Sequence, residues 1–214
     1  MSFKLSVIFL MLTGWFVTPV ANDWELVKSE ENIQVFVRKK EGSKFKEVKI
    51  KGLINCKMSE LVMALEDVEA QKDWVNSTID ARYISKDQAD HFYFYISTDF
   101  PYPVKDRDVA IEYKRQQDPN TRIVTIDYLG VADKEPEHNK FVRIPDFKAQ
   151  YILKPLANGQ IDVEYYLRAD VGGSIPKWIV NMAITKGPLD TIESLFNLIT
   201  SGHYKNLQVE GVLD

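Results

Sequence analysis

From Ile33 to Lys40 (IQVFVRKK) apolar and polar residues alternate, and after the turn signal Glu41-Gly42 the stretch KFKEVKIKGLI alternates again. Val48, Ile50 and Ile54 then share one face and lysines the other, which predicts a β-hairpin with one wet side. Between Met58 and Asp67 (MSELVMALED) the period lengthens: Leu61, Val62 and Leu65 fall at helical spacing, and a short second helix is expected to end near Trp74. From Ile79 the period returns to two through YIS, HFYFYIS, RDVAIEYKR, RIVTIDYLG, FVRI through AQYILKP, and IDVEYYLRAD. Turn formers such as Asp118-Pro119-Asn120 and Asn158-Gly159 separate these runs, so they predict about six strands in an antiparallel meander.

After Gly172-Gly173 the spacing changes once more. In SIPKWIVNMAITKGPLDTIESLFNLITSG, the residues Ile175, Trp178, Ile179, Met182, Leu189, Ile192, Phe196 and Ile199 fall along one side of a long helix. Ser174 suits the N-cap, Pro176 the first turn, where a missing N–H is harmless, and Gly202 the end. Pro188 cannot donate to the carbonyl of Ile184, which predicts a bend near Gly187. The order hairpin, helices, meander, long helix describes an α+β domain, a curved antiparallel sheet of about eight strands wrapped around one C-terminal helix. A curved sheet and a single helix need not fill the space between them, so an apolar cavity is expected there.

Composition adds limits. A chain of 214 residues, 45% hydrophobic and 27% charged, has room for one domain with a substantial core, placed here at residues 22–214. Residues 1–21 are different: Lys4 is followed by LSVIFLMLTGWFVTPVA, an apolar run shorter than the roughly twenty residues of a membrane span and ending in small residues. That is signal-peptide grammar, so a periplasmic or secreted protein is expected, with retention of the segment as a membrane anchor the alternative. Cys56 is the single cysteine, which leaves stability to packing alone. A net charge of −4 with no long like-charge block argues against nucleic acid. Lys44, Lys46, Lys49 and Lys51 alternate and read as a solvated strand face before they read as a lipid-headgroup patch. His91, His138 and His203 are not at metal-ligand spacing with one another or with Cys56. Neither Gly130 nor Gly172-Gly173 belongs to a phosphate loop, and Gly-x-Ser-x-Gly is missing. Neither metal, cofactor nor catalytic residue is expected.

FPYPVKDRD, residues 100–108, places four charges between two core-like strands. Period two from Val104 puts Arg107 on one face with Val109, Ile111 and Tyr113, and sends Asp106 and Asp108 to the other with Ala110, Glu112 and Lys114. A guanidinium facing a core must be paired or hydrogen-bonded. Arg107 therefore has two kinds of explanation: an ion pair with a carboxylate on a neighbouring strand, or a bulge after Pro103, on the one hand; on the other, a fixed cation for a ligand's phosphate, carboxylate or hydroxyl. In the preceding strand Phe92, Phe94 and Ile96 share one face, and Tyr93 and Tyr95 the other.

From Trp24 to about Gly202 the chain resembles the START domains, the lipid-binding family related to the steroidogenic acute regulatory protein. WELVKSEENIQVFVRK, KEVKIKG, AQYILKP and DVGGSIPKWIVNMAITKGPLDTIESL carry the resemblance, and PYPVKDRD followed later by GGSIPKWIVN is its specific pair. It implies a helix-grip fold whose internal tunnel, closed by the C-terminal helix, holds one lipid or sterol. In phosphatidylcholine-binding members the arginine of the Arg-Asp pair contacts the lipid phosphate, which here falls to Arg107. In sterol-binding members that arginine pairs with an acidic residue on the adjacent strand, and Asp90 and Asp99 are the candidates near in sequence. Tyr102 stands where many members carry tryptophan, and the stretch before Ile33 leaves little room for the N-terminal helix that many have. The expected ligand-facing set is Arg107, Val109, Ile111 and Tyr113 from one strand, Phe92 and Phe94 from its neighbour, and Trp178 and Met182 from the helix. A monomer that binds lipid, touches membranes transiently and is not an enzyme is the implied function. A polyketide cyclase-like or hydrolase activity in the same cavity is the alternative.

Overall fold

The structure, a computed structural model, describes residues 23–39 and 45–214. The segment read as an export signal and the Glu41-Gly42 turn lie outside the described residues. The chain runs β1 (Glu25–Glu30), β2 (Ile33–Lys39), β3 (Lys46–Asn55), α1 (Met58–Glu66), α2 (Gln71–Trp74), β4 (Thr78–Ser85), β5 (His91–Thr98), β6 (Arg107–Gln117), β7 (Val124–Gly130), β8 (Val142–Arg143), β9 (Asp146–Pro155), β10 (Gln160–Asp170) and α3 (Lys177–Thr200). Nine of the strands form a continuous antiparallel sheet in the order β1-β2-β3-β10-β9-β7-β6-β5-β4, and β8 runs parallel to the start of β6. This is the curved sheet gripping a C-terminal helix that the periodicity predicts, with two strands more than expected.

Both extra strands have a physical reason to escape a periodicity search. Every residue of β1 is exposed, so no alternation marks it, and it pairs as an edge strand with β2. The run from FVRI to AQYILKP is not one strand, because Pro145 lacks the N–H that a ladder needs. The chain breaks there, and Val142 and Arg143 turn to pair with Arg107 and Asp108.

The concave face carries the core. Val35, Val37, Val48, Ile50 and Ile54 of the predicted hairpin are buried, and Leu61, Val62 and Leu65 of α1 join them. Helix α3 seats its C-terminal half on β3 at Gly52, where a Cβ would stand 2.8 Å from the Phe196 ring. At its other end α3 begins later than Ser174: Lys177 is the first helical residue, and the Pro176 carbonyl accepts from Ile179 and Val180 N–H. Gly172 and Gly173 hold φ of +67° and +71°, a conformation that L side chains resist, and delay the helix. Pro188 lies within the continuous helix, beside a Thr191 hydroxyl that donates to the Gly187 carbonyl at 2.9 Å.

On the outer face of the sheet, Glu164 gathers three donors: Lys154 Nζ at 2.8 Å, Lys51 Nζ at 3.0 Å and the Tyr166 hydroxyl at 2.7 Å. Lys49 lies over the Trp24 and Phe36 rings, so this lysine-bearing face is partly covered rather than freely solvated. Burial alone would raise the Glu164 pKa, yet the donors outweigh it and hold the carboxyl at about 2. A carboxyl depressed in the folded state stabilises above its unfolded value of 4.5, and that stabilisation is lost as pH falls through the folded value of about 2. Glu164→Gln is therefore expected to lower stability by about 1–2 kcal/mol at neutral pH, with partly exposed lysines limiting the figure. Urea unfolding of both proteins at decreasing pH should show the gap closing below about 4.5; a gap that does not change with pH would exclude this ion-pair cluster as its source.

Candidate ligand cavity between the sheet and helix α3

Strand alternation delivers one wall. Phe94 and Ile96 of β5, Val109 and Ile111 of β6, Tyr128 of β7, Ala149 and Tyr151 of β9, and Tyr165, Leu167 and Ala169 of β10 all turn to the concave side. Met182, Gly187, Pro188 and Thr191 of α3 form the roof, and Trp74 to Ser77, from the end of α2, and Thr98 to Pro101, from the end of β5, complete the rim. They enclose a cavity of about 240 Å³. A single buried water needs roughly 10–15 Å³ on the same measure, so this is a chamber and not a packing defect.

Register fixes its two ends. Thr98 pairs with Arg107 beside the rim, followed inward by Ile96 with Val109, Phe94 with Ile111, and Phe92 with Tyr113. The last pair closes the far end: the two rings stack with centroids 4.2 Å apart, and the Tyr113 hydroxyl donates to Glu66 Oε1 at 2.9 Å. Burial, with Glu66 nearby, pushes the Tyr113 phenol well above its ordinary pKa.

Of the residues expected to face a ligand, Phe94, Val109, Ile111 and Met182 line the cavity. Phe92 and Tyr113 are fully buried but packed beyond its floor, against α1. Trp178 is 53% exposed, on the outside of α3.

Arg107 is buried as predicted, and backbone carbonyls hold it rather than a carboxylate on a neighbouring strand. Its Nε donates to the Val171 carbonyl at 3.0 Å and Nη2 to the Gly172 carbonyl at 3.0 Å, while Nη1 donates to the Lys105 carbonyl. The guanidinium lies over the Phe100 ring, 4.8 Å from its centroid. Among the described residues no carboxylate is within ion-pair distance of it, Asp90 and Asp99 included. Burial lowers its pKa, and Asp106 partly opposes that. Arg107 thus sits behind the cavity wall and ties the loop after β5 to the segment that leads into α3.

Asp108 also departs from expectation. It is 1% exposed and chelates Arg143, with Nε to Oδ1 at 2.9 Å and Nη2 to Oδ2 at 3.0 Å. Strand β8 pairs alongside β6 at this point and sets the Arg143 side chain beside Asp108, which the isolated alternation of β6 could not show.

A START domain model matches residues 17–199. The chain belongs to the START family. Similar proteins include an uncharacterized protein of Pseudomonas aeruginosa, 27% identical over 194 residues, spanning 90% of this chain and 94% of that protein. The phosphatidylcholine transfer protein of Mus musculus is 22% identical over 187 residues, 86% of each chain. A crystal structure of a STAR-related lipid transfer protein from Xanthomonas axonopodis superimposes with a TM-score of 0.77 at 29% identity, over 84% of this chain and 99% of that one.

Within this START domain the wall contains residues that the sequence search did not single out. Tyr128, Tyr151 and Tyr165 are on it, and so is Trp74, whose indole N–H is buried without a partner. The tyrosines carried a usable signal: Tyr128 has the parity of Val124 and Ile126, Tyr151 that of Ala149 and Leu153, and Tyr165 that of Ile161 and Val163. Trp74 had none beyond its place at the end of a short helix.

Proposed function

We propose that this START domain holds one lipid or sterol-like molecule in the cavity under α3 and carries it between membranes, after export on the segment at residues 1–21. The observation that supports this best is the chamber itself, walled by apolar and aromatic side chains and roofed by one helix. Burying a dozen methylenes there is worth on the order of 10 kcal/mol, so retention is easily supplied and release is the demanding step.

The roof is built to move. Asn76, on the rim, donates to Thr191 Oγ1 through its backbone at 3.1 Å and to Asp190 Oδ2 through its amide at 3.1 Å, a polar latch between the rim and α3. Gly172 and Gly173 precede the helix as a hinge. Near that end Tyr102 is 93% and Trp178 53% exposed, aromatic groups suited to the bilayer interface during exchange.

The reading is tested by filling the chamber. Ala149, buried on its wall, is replaced by tryptophan, and transfer of fluorescent phosphatidylcholine and of a fluorescent sterol between neutral vesicles is followed. The variant is expected to fold and to lose at least about tenfold in rate, since a filled cavity leaves no apolar space for the cargo. Native mass spectrometry of the wild-type protein from its own source should show a co-purified lipid. An empty protein that moves neither probe, and instead converts a small hydrophobic substrate, would favour the cyclase or hydrolase alternative.

A further inference from the structure

The chain has ten tyrosines. Tyr83, Tyr93, Tyr95, Tyr113, Tyr166 and Tyr204 each donate the hydroxyl to a named oxygen, and Tyr102 is exposed to solvent. Tyr128, Tyr151 and Tyr165 are different. All three are buried on the cavity wall, and none of their hydroxyls has a hydrogen-bond partner among the described residues. Nor are these hydroxyls among the polar atoms sealed in packed protein; they open on the chamber.

The three phenols form one cluster at one end. Tyr151 pairs with Tyr165 across β9 and β10, with ring centroids 4.5 Å apart, and the Tyr128 ring lies 5.9 Å from that of Tyr151. Tyr128 pairs with Tyr113, which packs just beyond the floor of the cavity, six positions along β6 from Arg107 beside the rim. At about 3.3 Å per residue the cluster is therefore roughly 20 Å from the mouth.

Covered by an apolar cargo that offers no partner, each hydroxyl would cost about 1–3 kcal/mol, and phenylalanine, which the same wall uses at Phe94, would avoid that cost. The wall's one carboxylate among the described residues is Asp99, at the rim, and the wall includes neither lysine nor arginine. Arg107, beside the rim, directs three of its five N–H donors to backbone carbonyls and is not part of the wall. A phosphate or carboxylate driven to the floor would be an unpaired buried charge, which is prohibitively costly. Burial also pushes the phenols of Tyr128 and Tyr151 well above their ordinary pKa, so they stay neutral donors and acceptors.

We infer that Tyr128, Tyr151 and Tyr165 form the polar recognition site of the cavity, and that the ligand enters polar end first, with an uncharged hydroxyl or carbonyl oxygen hydrogen-bonded to them. This inference rests on the lipid-binding reading and narrows it to lipids whose inward end carries no charge. A sterol and a straight-chain alcohol share that chemistry.

The test is displacement of bound diphenylhexatriene by hexadecan-1-ol, cholesterol, hexadecane and hexadecyl phosphate, from the wild type and from the triple variant Tyr128→Phe, Tyr151→Phe, Tyr165→Phe. In the wild type at least one hydroxyl probe should displace better than hexadecane and hexadecyl phosphate. In the triple variant its affinity should fall about 10- to 100-fold, as two or three neutral hydrogen bonds imply, while hexadecane is unchanged or binds better. Preference for cholesterol over the alcohol assigns the oxygen to a sterol, and the reverse to a straight chain. If the triple variant does not fold, Tyr151→Phe alone and the tyrosine near-ultraviolet difference spectrum of the wild type give the answer, because the hydroxyl probe should perturb that spectrum and hexadecane should not. Equal affinity of both proteins for the hydroxyl probes, or tightest binding of hexadecyl phosphate, would overturn the inference while leaving lipid binding intact. Failure of every probe to displace from the wild type would overturn the lipid-binding reading itself.

Discussion

Glu66→Ala is expected to lower the free energy of unfolding by about 3–5 kcal/mol, the loss typical of removing one partner of a buried ion pair. Glu66 ends α1 and is 6% exposed, and its Oε1 accepts from Arg115 Nε at 2.7 Å and from the Tyr113 hydroxyl at 2.9 Å. Its backbone carbonyl accepts the Tyr83 hydroxyl at 2.6 Å. The side chain of Arg115 is 3% exposed, and the same guanidinium reaches the Glu210 carbonyl at 2.9 Å. One carboxylate thus joins α1, β6 and the C-terminal tail, and also closes the floor of the cavity under Tyr113. Its removal leaves a buried guanidinium with only the Glu210 and Gly211 carbonyls as partners, and a phenol with none. Urea unfolding monitored by near-ultraviolet circular dichroism measures the loss. Tyr113→Phe, which removes one neutral donor and keeps the ion pair, should cost only about 1 kcal/mol. Similar losses for both variants would mean that the pair is solvated and contributes nothing beyond a hydrogen bond.

Much of the fold was legible because alternation marks any strand with one buried face. Val35, Val48, Ile111, Ile126 and Val163 announce their strands in this way, and the helix-spaced Leu61, Val62 and Leu65 announce α1. The same logic explains the failures. Strand β1 buries nothing, and β8 has two residues, too short for any period. Parity placed Phe92 and Tyr113 correctly on the inner face, but parity does not say where a cavity stops. That depends on α1 and Glu66, which fill the end beyond Phe94 and Ile111. Trp178 was placed with Met182 by a stripe drawn wide enough to hold both Trp178 and its neighbour Ile179. A helix cannot turn adjacent residues to one side, and here Ile179 is the buried one. Arg107 was legible as a buried cation, whereas its partners, carbonyls at residues 171 and 172, leave no mark on side-chain pattern at all.

Asp108→Ala is expected to cost another 3–5 kcal/mol or so, by the same argument of a stranded partner. The Arg143 side chain is 7% exposed, and apart from Asp108 it contacts only carbonyls: Nη1 donates to Ala132 at 2.8 Å and Glu135 at 2.9 Å, and Nη2 to Pro136 at 3.0 Å. Asp108 supplies the one full negative charge in this cage and also accepts the Tyr95 hydroxyl at 3.3 Å. Without it, the excursion between β7 and β9 is held to β6 by the backbone bonds of β8 alone. Ile144, whose N–H donates to the Asp108 carbonyl at 2.9 Å and whose side chain lines the cavity, should then loosen as well, so probe release from the chamber should speed up along with the loss of stability. A second variant separates charge from packing. Asp108→Leu combined with Arg143→Met removes both ions and keeps apolar bulk, and should recover most of the stability lost by Asp108→Ala, since a buried ion pair is often replaced by hydrophobic residues at little net cost. If the double variant is as unstable as the single one, the carbonyl cage around Arg143, rather than its ion pair with Asp108, is what fixes the excursion to the sheet.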